Sequence, residues 1–327
     1  MNTNLKQTGG IPAGELTELL AYAAKAPSGH NTQPWKFRAA GKTIEVLPDF
    51  GRALPVVDGN HRELYISLGC AVENLCIAAT HFRYDTVVTR QNREGITIEF
   101  TRNEACEENP LFRQIAKRQT NRSIYTGKKI SDAVCEALQN VPAEKGVSVY
   151  LTGIDSPEGN RLAEWVFKGN EYQMSDPAFK NELLSWMRFN ARQTAATNDG
   201  LVYKVFGNPP LPRFLAKPVV SLFLKPDKQN KADKEKIGSS SHFVLFSCRP
   251  DTSEAWINTG RTLQRFLLRA TETGIACAYL NQPCETPALA EAMRRTLPVG
   301  GNHPAVLLRI GYAAPVPYSP RRKIKIA

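Results

Sequence analysis

The turn at residues 26–35 constrains the fold of this chain more than any other short segment. Its sequence, APSGHNTQPW, follows a leucine and alanine stripe with helical spacing, and Pro27 with Gly29 prevents that helix from continuing. Trp35 then begins a predicted strand. The groups in the turn that can bind a ligand belong to Ser28, Gly29, Asn31 and Gln33. The segment predicts either a ligand-holding turn or an ordinary connector that places Trp35 in the core.

Length and composition predict a large core. The chain has 327 residues, of which 42% are hydrophobic, which suits two domains or one duplicated unit. Because the sequence shows no uninterrupted apolar run of membrane-spanning length and no signal-peptide pattern, we expect a cytoplasmic protein without membrane association. The seven cysteines are scattered and never form C-x-x-C. This pattern argues against a disulfide framework and a zinc site, and we expect no metal.

The formal net charge of +11 allows a nucleic-acid surface, an anionic small molecule or a basic exterior. Five lysines cluster in a hydrophilic stretch without interleaved aromatic residues: Lys225, Lys228, Lys231, Lys234 and Lys236. A nucleic-acid site needs such aromatic platforms. We therefore expect no nucleic-acid partner, and a basic pocket for phosphate stays open.

A divergent internal repeat divides the chain. Residues 67–80 and 258–271 share an apolar helical periodicity when Gly69 is set against Gly260, an offset of 191 positions. Residues 41–48 and 146–153 are interpreted as corresponding strands, and the second half carries an insertion at about 155–240. The alternative is that two buried amphipathic helices look alike by chance. The repeat predicts one half at 12–105 and another at 106–327.

The order of predicted elements is helix, strand, long helix, strand within each half. This order is typical of an α+β fold with helices packed on mainly antiparallel sheets. The sequence contains no G-x-G-x-x-G loop, no P-loop, no G-x-S-x-G elbow and no H-E-x-x-H helix. His30 in the turn is given no role. If the chain is an enzyme, a bound cofactor carries the reaction.

Two basic segments are candidates for phosphate binding. Arg118, Thr120 and Arg122 alternate along the segment RQTNR, so in an extended conformation their side chains point the same way. Two guanidiniums and a hydroxyl match a phosphate dianion. Residues 318–323 supply a second basic cluster after the last predicted strand. The alternative for each segment is an exposed basic patch.

These motifs together resemble the nitroreductase superfamily. The shared features are a helix ending in A-P-S-G-x-N-x-Q-P-W, an R-x-[ST]-x-R segment before a helix, the central helix and a closing P-x-R. More narrowly, the chain resembles the fused Acg-type branch, in which one chain carries two nitroreductase-like halves. The resemblance implies an α+β fold in which two halves mimic the family's dimer, with flavin mononucleotide (FMN) between them.

The resemblance also implies roles for individual residues. Arg118, Thr120 and Arg122 would hold the flavin phosphate, ribityl chain and pyrimidine edge, with Arg122 stabilising charge at N1 and O2. The turn contributed by the other half would supply Pro27, Ser28, Gly29 and Asn31. Asn281 and Gln282 would lie where a strand approaches flavin N5, although the family has an acidic residue or glycine there. Arg321 and Lys323 would complete the phosphate site, with Arg322 as a neighbour able to substitute.

The expected function is an FMN-dependent oxidoreductase. It would pass hydride from NADH or NADPH to a small conjugated acceptor, such as a nitroaromatic compound or a quinone, by a ping-pong mechanism that uses no protein nucleophile. The alternative is a flavin-binding or sequestering protein in which the insertion, above all residues 201–207, closes the site as a lid. A flavin-fragmenting or dehalogenating specialist is a third possibility. Only one interface keeps all its motifs, so we expect a monomer with a single flavin.

Overall fold

The leading part of the chain forms an antiparallel sheet of four strands. The computed structural model describes residues 10–324 and residue 326. The first elements in chain order are α1 (Ala13–Ala23), β1 (Trp35–Ala40), β2 (Thr43–Pro48), α2 (Arg62–His81), β3 (Tyr84–Asn92) and β4 (Gly95–Arg102). The strand order is β1-β2-β4-β3. A two-residue turn joins β1 to β2, and Gly41 in this turn has φ +57°, which favours glycine.

The predicted boundaries around the turn at residues 26–35 are confirmed. Helix α1 ends before Pro27, and β1 begins at Trp35. Along β1, Trp35 and Phe37 are buried whereas Lys36 and Arg38 are exposed. This alternation is expected of a strand with one face on the core.

The rest of the chain contains a second antiparallel sheet of four strands. Its strand order is β5-β8-β10-β9, so first, second, fourth and third strands follow one another as in the leading sheet. The elements are α3 (Phe112–Ile115), α4 (Asp132–Gln139), β5 (Val147–Gly153), α5 (Pro157–Ser175), α6 (Pro177–Trp186), β6 (Met187–Arg188), α7 (Ala191–Thr197), β7 (Leu201–Val202), α8 (Arg213–Phe223), α9 (Pro226–Gly238), β8 (His242–Cys248), α10 (Ser253–Glu272), β9 (Ala276–Tyr279), α11 (Gln282–Glu285), α12 (Pro287–Thr296) and β10 (His303–Gly311). The predicted α+β class with mainly antiparallel sheets is confirmed.

One predicted strand correspondence is wrong. The sequence analysis set residues 41–48 against residues 146–153, but β2 is the second strand of its sheet and β5 is the first strand of the other. The counterpart of β2 by topology is β8. Residues 154–241 separate β5 from β8, although these two strands pair along their whole length. Helices α5 to α9 fill this interval, which agrees with the insertion expected at about 155–240.

The long helices α2 and α10 cross at two glycines in the centre of the molecule. A Cβ atom on Gly69 would lie 2.1 Å from the carbonyl oxygen of Ile257, and one on Gly260 would lie 2.0 Å from that of Ile66. Both contacts are closer than any real Cβ contact, so the two backbones touch without side chains between them. The contact is reciprocal and keeps the offset of 191 positions, as expected where equivalent surfaces meet about a two-fold axis.

Polar contacts hold the two central helices together beside the glycine crossing. Glu73 of α2 is buried and forms ion pairs with Arg261 at 3.0 Å and with Arg265 at 2.5 Å, both from α10. Gln264 Nε2 donates to Asn74 Oδ1 at 2.6 Å. A single buried apolar cluster includes both helices and both sheets. The two sheets therefore share one core.

Helix α2 is long and apolar enough to cross a bilayer by length and composition, and it is the one such helix among the described residues. Its mean hydropathy is high because polar residues such as Glu73 and Asn74 are few in this helix. Most of α2 is buried inside the fold. Its apolar character is accounted for by its contacts with α10 and the sheets.

Substitution of Gly69 by alanine should destabilise the protein by about 3 kcal/mol, because the added methyl group must push α10 away. Gly14 in α1 has no atom within 4 Å of its missing Cβ, so Gly14→Ala should be neutral or stabilise by about 0.5 kcal/mol. Urea unfolding midpoints at unchanged m-value measure both effects. Equal midpoints for the two variants would contradict the close helix crossing.

Candidate functional site

A cavity of about 570 Å³ is lined by residues from the leading and the trailing parts of the chain, and its volume is within the size range of small-molecule sites. Its walls come from the turn after α1, the segment before α4, the corner between β9 and α11, the C-terminal segment and the insertion. Ten of the residues predicted from the sequence line it: Pro27, Ser28, Gly29, Asn31, Arg118, Thr120, Arg122, Asn281, Gln282 and Arg321. The structure therefore brings these distant segments together.

Two of the predicted residues lie elsewhere. Arg322 and Lys323 do not line this cavity. The backbone N–H of Arg322 donates to Gln33 Oε1 at 2.8 Å, and its side chain points to the carbonyl of the same residue. Further along, Ile326 pairs with Phe37 of β1. Arg322 thus holds the C-terminal segment against the turn. The expected place of Arg322 and Lys323 beside a phosphate has no support.

The turn after α1 has a constrained backbone. His30, Asn31 and Gln33 have φ values of 48°, 55° and 53°, in the left-handed region that residues other than glycine seldom adopt. Ser28 Oγ accepts a hydrogen bond from Gln33 N at 2.9 Å, and Asn31 Nδ2 donates to Pro320 O at 3.3 Å. The surrounding contacts therefore fix this conformation.

Two buried guanidiniums converge at one end of the cavity. Arg118 Nη2 and Arg321 Nη2 both donate to the carbonyl of Lys25, at 3.1 and 3.2 Å. Arg118 Nε, Arg118 Nη1 and Arg321 Nε are buried without a hydrogen-bond partner. Burial, and then the charge of Arg118, lowers the pKa of Arg321 to about 9. Among the described residues neither guanidinium has a carboxylate partner, and together they leave three buried N–H donors unused, which is the donor chemistry of a site for a dianion such as phosphate.

Arg122 and His30 lie beside these cations. The segment that carries Arg122 is held against β9, since Asn121 N donates to Cys277 O at 2.9 Å. The guanidinium of Arg122 lies 5.5 Å from the ring centre of Phe206 in the insertion. His30 Nε2 is buried without a partner, and burial followed by the charge of Arg122 lowers the pKa of His30 to about 4. His30 is therefore neutral at pH 7, and the sequence analysis gave it no role.

The cavity is also lined by two glutamates that the sequence analysis missed. Glu63 at the start of α2 and Glu285 at the end of α11 are half-buried. Asn281 Nδ2 donates to Glu63, and Gln173 Nε2 donates to Glu285. Neither glutamate stands in a recognisable motif. Only the fold, which packs the corner after β9 against α2, brings them together.

The insertion forms the apolar roof of the cavity. Its apolar side chains at the cavity are Met174, Phe179, Leu183, Met187, Leu201, Phe206 and Leu224. The Gln282 side chain is tied to the insertion, because its Nε2 donates to Asn170 Oδ1 at 3.0 Å. The cavity thus has a cationic end, an apolar roof and a carboxyl wall. This arrangement suits a flat, largely apolar ligand that carries an anionic group at one end.

The structure defines an α+β protein whose two antiparallel sheets share one strand order and whose cavity has guanidinium donors without hydrogen-bond partners. The chain is 24% identical over 318 residues to a Mycobacterium tuberculosis protein named "Putative NAD(P)H nitroreductase", covering 94% of this chain and 88% of that protein. It is also 24% identical to the M. tuberculosis "Putative NAD(P)H nitroreductase acg", covering 92% of this chain and 91% of that protein. No family model matches the chain. The chain is thus a relative of these mycobacterial nitroreductase-like proteins, and the family resemblance is confirmed.

Solved structures with nitroreductase-like folds are also similar. A nitroreductase-like family protein from Bacillus cereus matches with a TM-score of 0.39 and 18% identity, covering 67% of this chain and 96% of that protein. The FMN-dependent nitroreductase NfnB from Mycobacterium smegmatis, in complex with NADPH, matches with a TM-score of 0.39 and 14% identity, covering 62% of this chain and 86% of that protein.

Phosphate should stabilise the cofactor-free protein through Arg118. Inorganic phosphate should raise the melting temperature more than sodium chloride at equal ionic strength, because it gives the unpaired guanidiniums acceptors. Arg118→Met should abolish this difference without lowering the melting temperature in chloride, since one buried unpaired charge is removed. The exposed Arg113→Met serves as the control. A phosphate effect that persists in Arg118→Met would contradict the assignment.

Proposed function

We propose that the protein is an NAD(P)H-dependent FMN oxidoreductase. The observation that carries the proposal is the pair of buried, incompletely bonded guanidiniums, Arg118 and Arg321, facing the constrained turn at residues 26–35 in one cavity. The names of the mycobacterial relatives give the same reaction class. The small-molecule acceptor would be a conjugated compound such as a nitroaromatic compound or a quinone.

The residues present fit FMN. Arg118 and Arg321 would bind its phosphate, and Thr120 and Ser28 lie on the same cavity wall for the ribityl chain. Arg122 would face the pyrimidine edge, where a cation in a low-dielectric pocket stabilises negative charge. When bound, FMN supplies two-electron transfer between NAD(P)H and the acceptor. The chain's own contribution is to bind, orient and enclose the reactants.

The apolar roof favours a ping-pong order. The insertion covers the cavity with side chains such as Met174, Phe179 and Phe206. A ring system beside the cofactor would have to lie against these side chains. The nicotinamide and the acceptor would therefore occupy the same place in turn.

The proposal includes a monomer that mimics the dimer of the family, with one FMN per chain. The shared strand order of the two sheets and the reciprocal contact of Gly69 with Gly260 support two tandem halves, at 12–105 and 106–327. The Arg118 segment and the turn at residues 26–35 each occur once. One complete site per chain follows.

A second candidate is a flavin-sequestering protein. It is favoured by Phe206, whose ring packs over Arg122 and whose segment would act as a lid. In such a protein the roof would exclude NAD(P)H after FMN binds. Reduction of the bound flavin distinguishes the two candidates.

Stopped-flow mixing of FMN-loaded protein with NADH or NADPH tests the enzymatic function. We expect the visible flavin absorbance to bleach under anaerobic conditions, and a quinone added in a second mix to restore it. Reduction with dithionite serves as the control for a reducible flavin. If dithionite bleaches the flavin and neither nucleotide does, the sequestering function replaces the enzymatic one.

Two substitutions test the cofactor site. Arg118→Ala should raise the dissociation constant for FMN about 30-fold, which corresponds to about 2 kcal/mol for a charge-assisted contact. Ser28→Ala should have a smaller effect of about 1 kcal/mol, because its hydroxyl makes a neutral hydrogen bond to Gln33 N. Fluorescence titration of FMN measures both values. An Arg118→Ala variant with wild-type affinity would refute the phosphate role.

A further inference from the structure

Two half-buried carboxyl groups, Glu63 and Glu285, line the same cavity. They lie close enough for the charge of Glu285 to raise the pKa of Glu63. Each also accepts a hydrogen bond from a side-chain amide, Asn281 for Glu63 and Gln173 for Glu285. Two ionised carboxylates at such a separation repel each other strongly. The contact is therefore stable when the pair holds one proton.

The charges around the pair reinforce this conclusion. The buried Arg62 is the nearby cation, and its Nε has no hydrogen-bond partner. Asp58 is a third buried carboxyl group, which accepts backbone N–H bonds at the start of α2 at 3.0 Å. The thiol of Cys284 stays neutral, because burial raises its pKa to about 12. One cation against three carboxyl groups cannot keep all of them ionised.

Burial is the main cause of the raised proton affinity of these groups. Burial raises the pKa of Glu63 well above its ordinary value, the adjacent Glu285 raises it further, and Arg62 opposes the shift. Burial also raises the pKa of Glu285. Burial and the charge of Glu63 raise the pKa of Asp58 to about 7. Each of these carboxyl groups therefore binds a proton more readily than a solvent-exposed carboxyl group does.

The pair adjoins both segments that the resemblance places around the flavin ring. A Cβ atom on Gly29 would lie 3.1 Å from Glu63 Oε2, so Glu63 packs directly against the turn. Asn281, whose amide donates to Glu63, belongs to the corner expected near the reacting edge of the ring.

We propose that Glu63 and Glu285 form a proton-sharing pair that donates a proton to the electron acceptor as it is reduced. This proposal rests on the proposed oxidoreductase function. Reduction of a quinone to a hydroquinone needs two electrons and two protons. NAD(P)H supplies both electrons and one proton as a hydride equivalent. The pair supplies the second proton: the shared O–H bond breaks, an O–H bond forms on the acceptor oxygen, and water later reprotonates the two carboxylates beside Arg62.

The shared proton is measurable in the cofactor-free protein. Infrared spectroscopy at pH 7 should show the carbonyl stretch of a protonated carboxylic acid, and Glu63→Gln should remove one such band because the new amide donates to an ionised Glu285. Unfolded glutamates release their protons at about pH 4.3, whereas the folded pair retains one proton. The free energy of unfolding should therefore fall as the pH rises from that value through the raised pKa of the pair. Glu63→Gln should flatten this slope. If the wild-type spectrum lacks the band that Glu63→Gln is expected to remove, the two glutamates do not share a proton.

The donor role is tested by separating the two half-reactions. Glu63→Gln and Glu285→Gln should slow acceptor reduction by pre-reduced protein about 100-fold, the typical contribution of a general acid, while flavin bleaching by NAD(P)H changes little. The exposed Glu164→Gln is the matched control. The wild-type solvent deuterium isotope effect on acceptor reduction should disappear in Glu63→Gln.

The possible outcomes separate this proposal from the proposed function. An infrared band with unchanged acceptor reduction in both glutamine variants overturns the donor role alone. Absence of bleaching with either nucleotide refutes the oxidoreductase function and the donor role with it. The infrared band then still decides whether the two glutamates share a proton.

Discussion

The direct contact between the backbones of Gly69 and Gly260 is the constraint on which the rest of the structure depends. Because no side chain separates α2 from α10, the two sheets are held at a fixed distance around one core. The ion pairs of Glu73 with Arg261 and Arg265 add a polar contact at the same crossing. Ile66 and Cys70 of α2 and Leu263 of α10 line the cavity, so the cavity lies beside this crossing.

The cationic end of the cavity is unfavourable without a ligand. Arg118 and Arg321 share one carbonyl acceptor and leave three buried N–H donors unpaired, a cost that a folded protein must offset elsewhere. The large core around α2 and α10 can provide that stability. A dianionic group would satisfy the donors and neutralise the charge, so ligand binding and folding stability are coupled at this end.

Local sequence patterns could predict the fold class, the end of α1, and the residues of the turn and the Arg118 segment. These features depend on near neighbours in the chain: Pro27 stops a helix, and alternation places Arg118 and Arg122 on one side. The counterpart of β2 in the second sheet could not be predicted, because a strand's periodicity does not say which place the strand takes in its sheet. The same limit applies to Glu63 and Glu285, which meet only through the packing of α11 near the start of α2.

The two candidate functions place different demands on the carboxyl wall. A protein that only holds FMN needs the phosphate anchors and the roof that contains Phe206. Two glutamates in the same cavity add nothing to the retention of a dianion, and their raised pKa makes folding less favourable as pH rises. A reductase, in contrast, consumes a proton with each acceptor molecule. The presence of Glu63 and Glu285 in the cavity therefore favours turnover over sequestration.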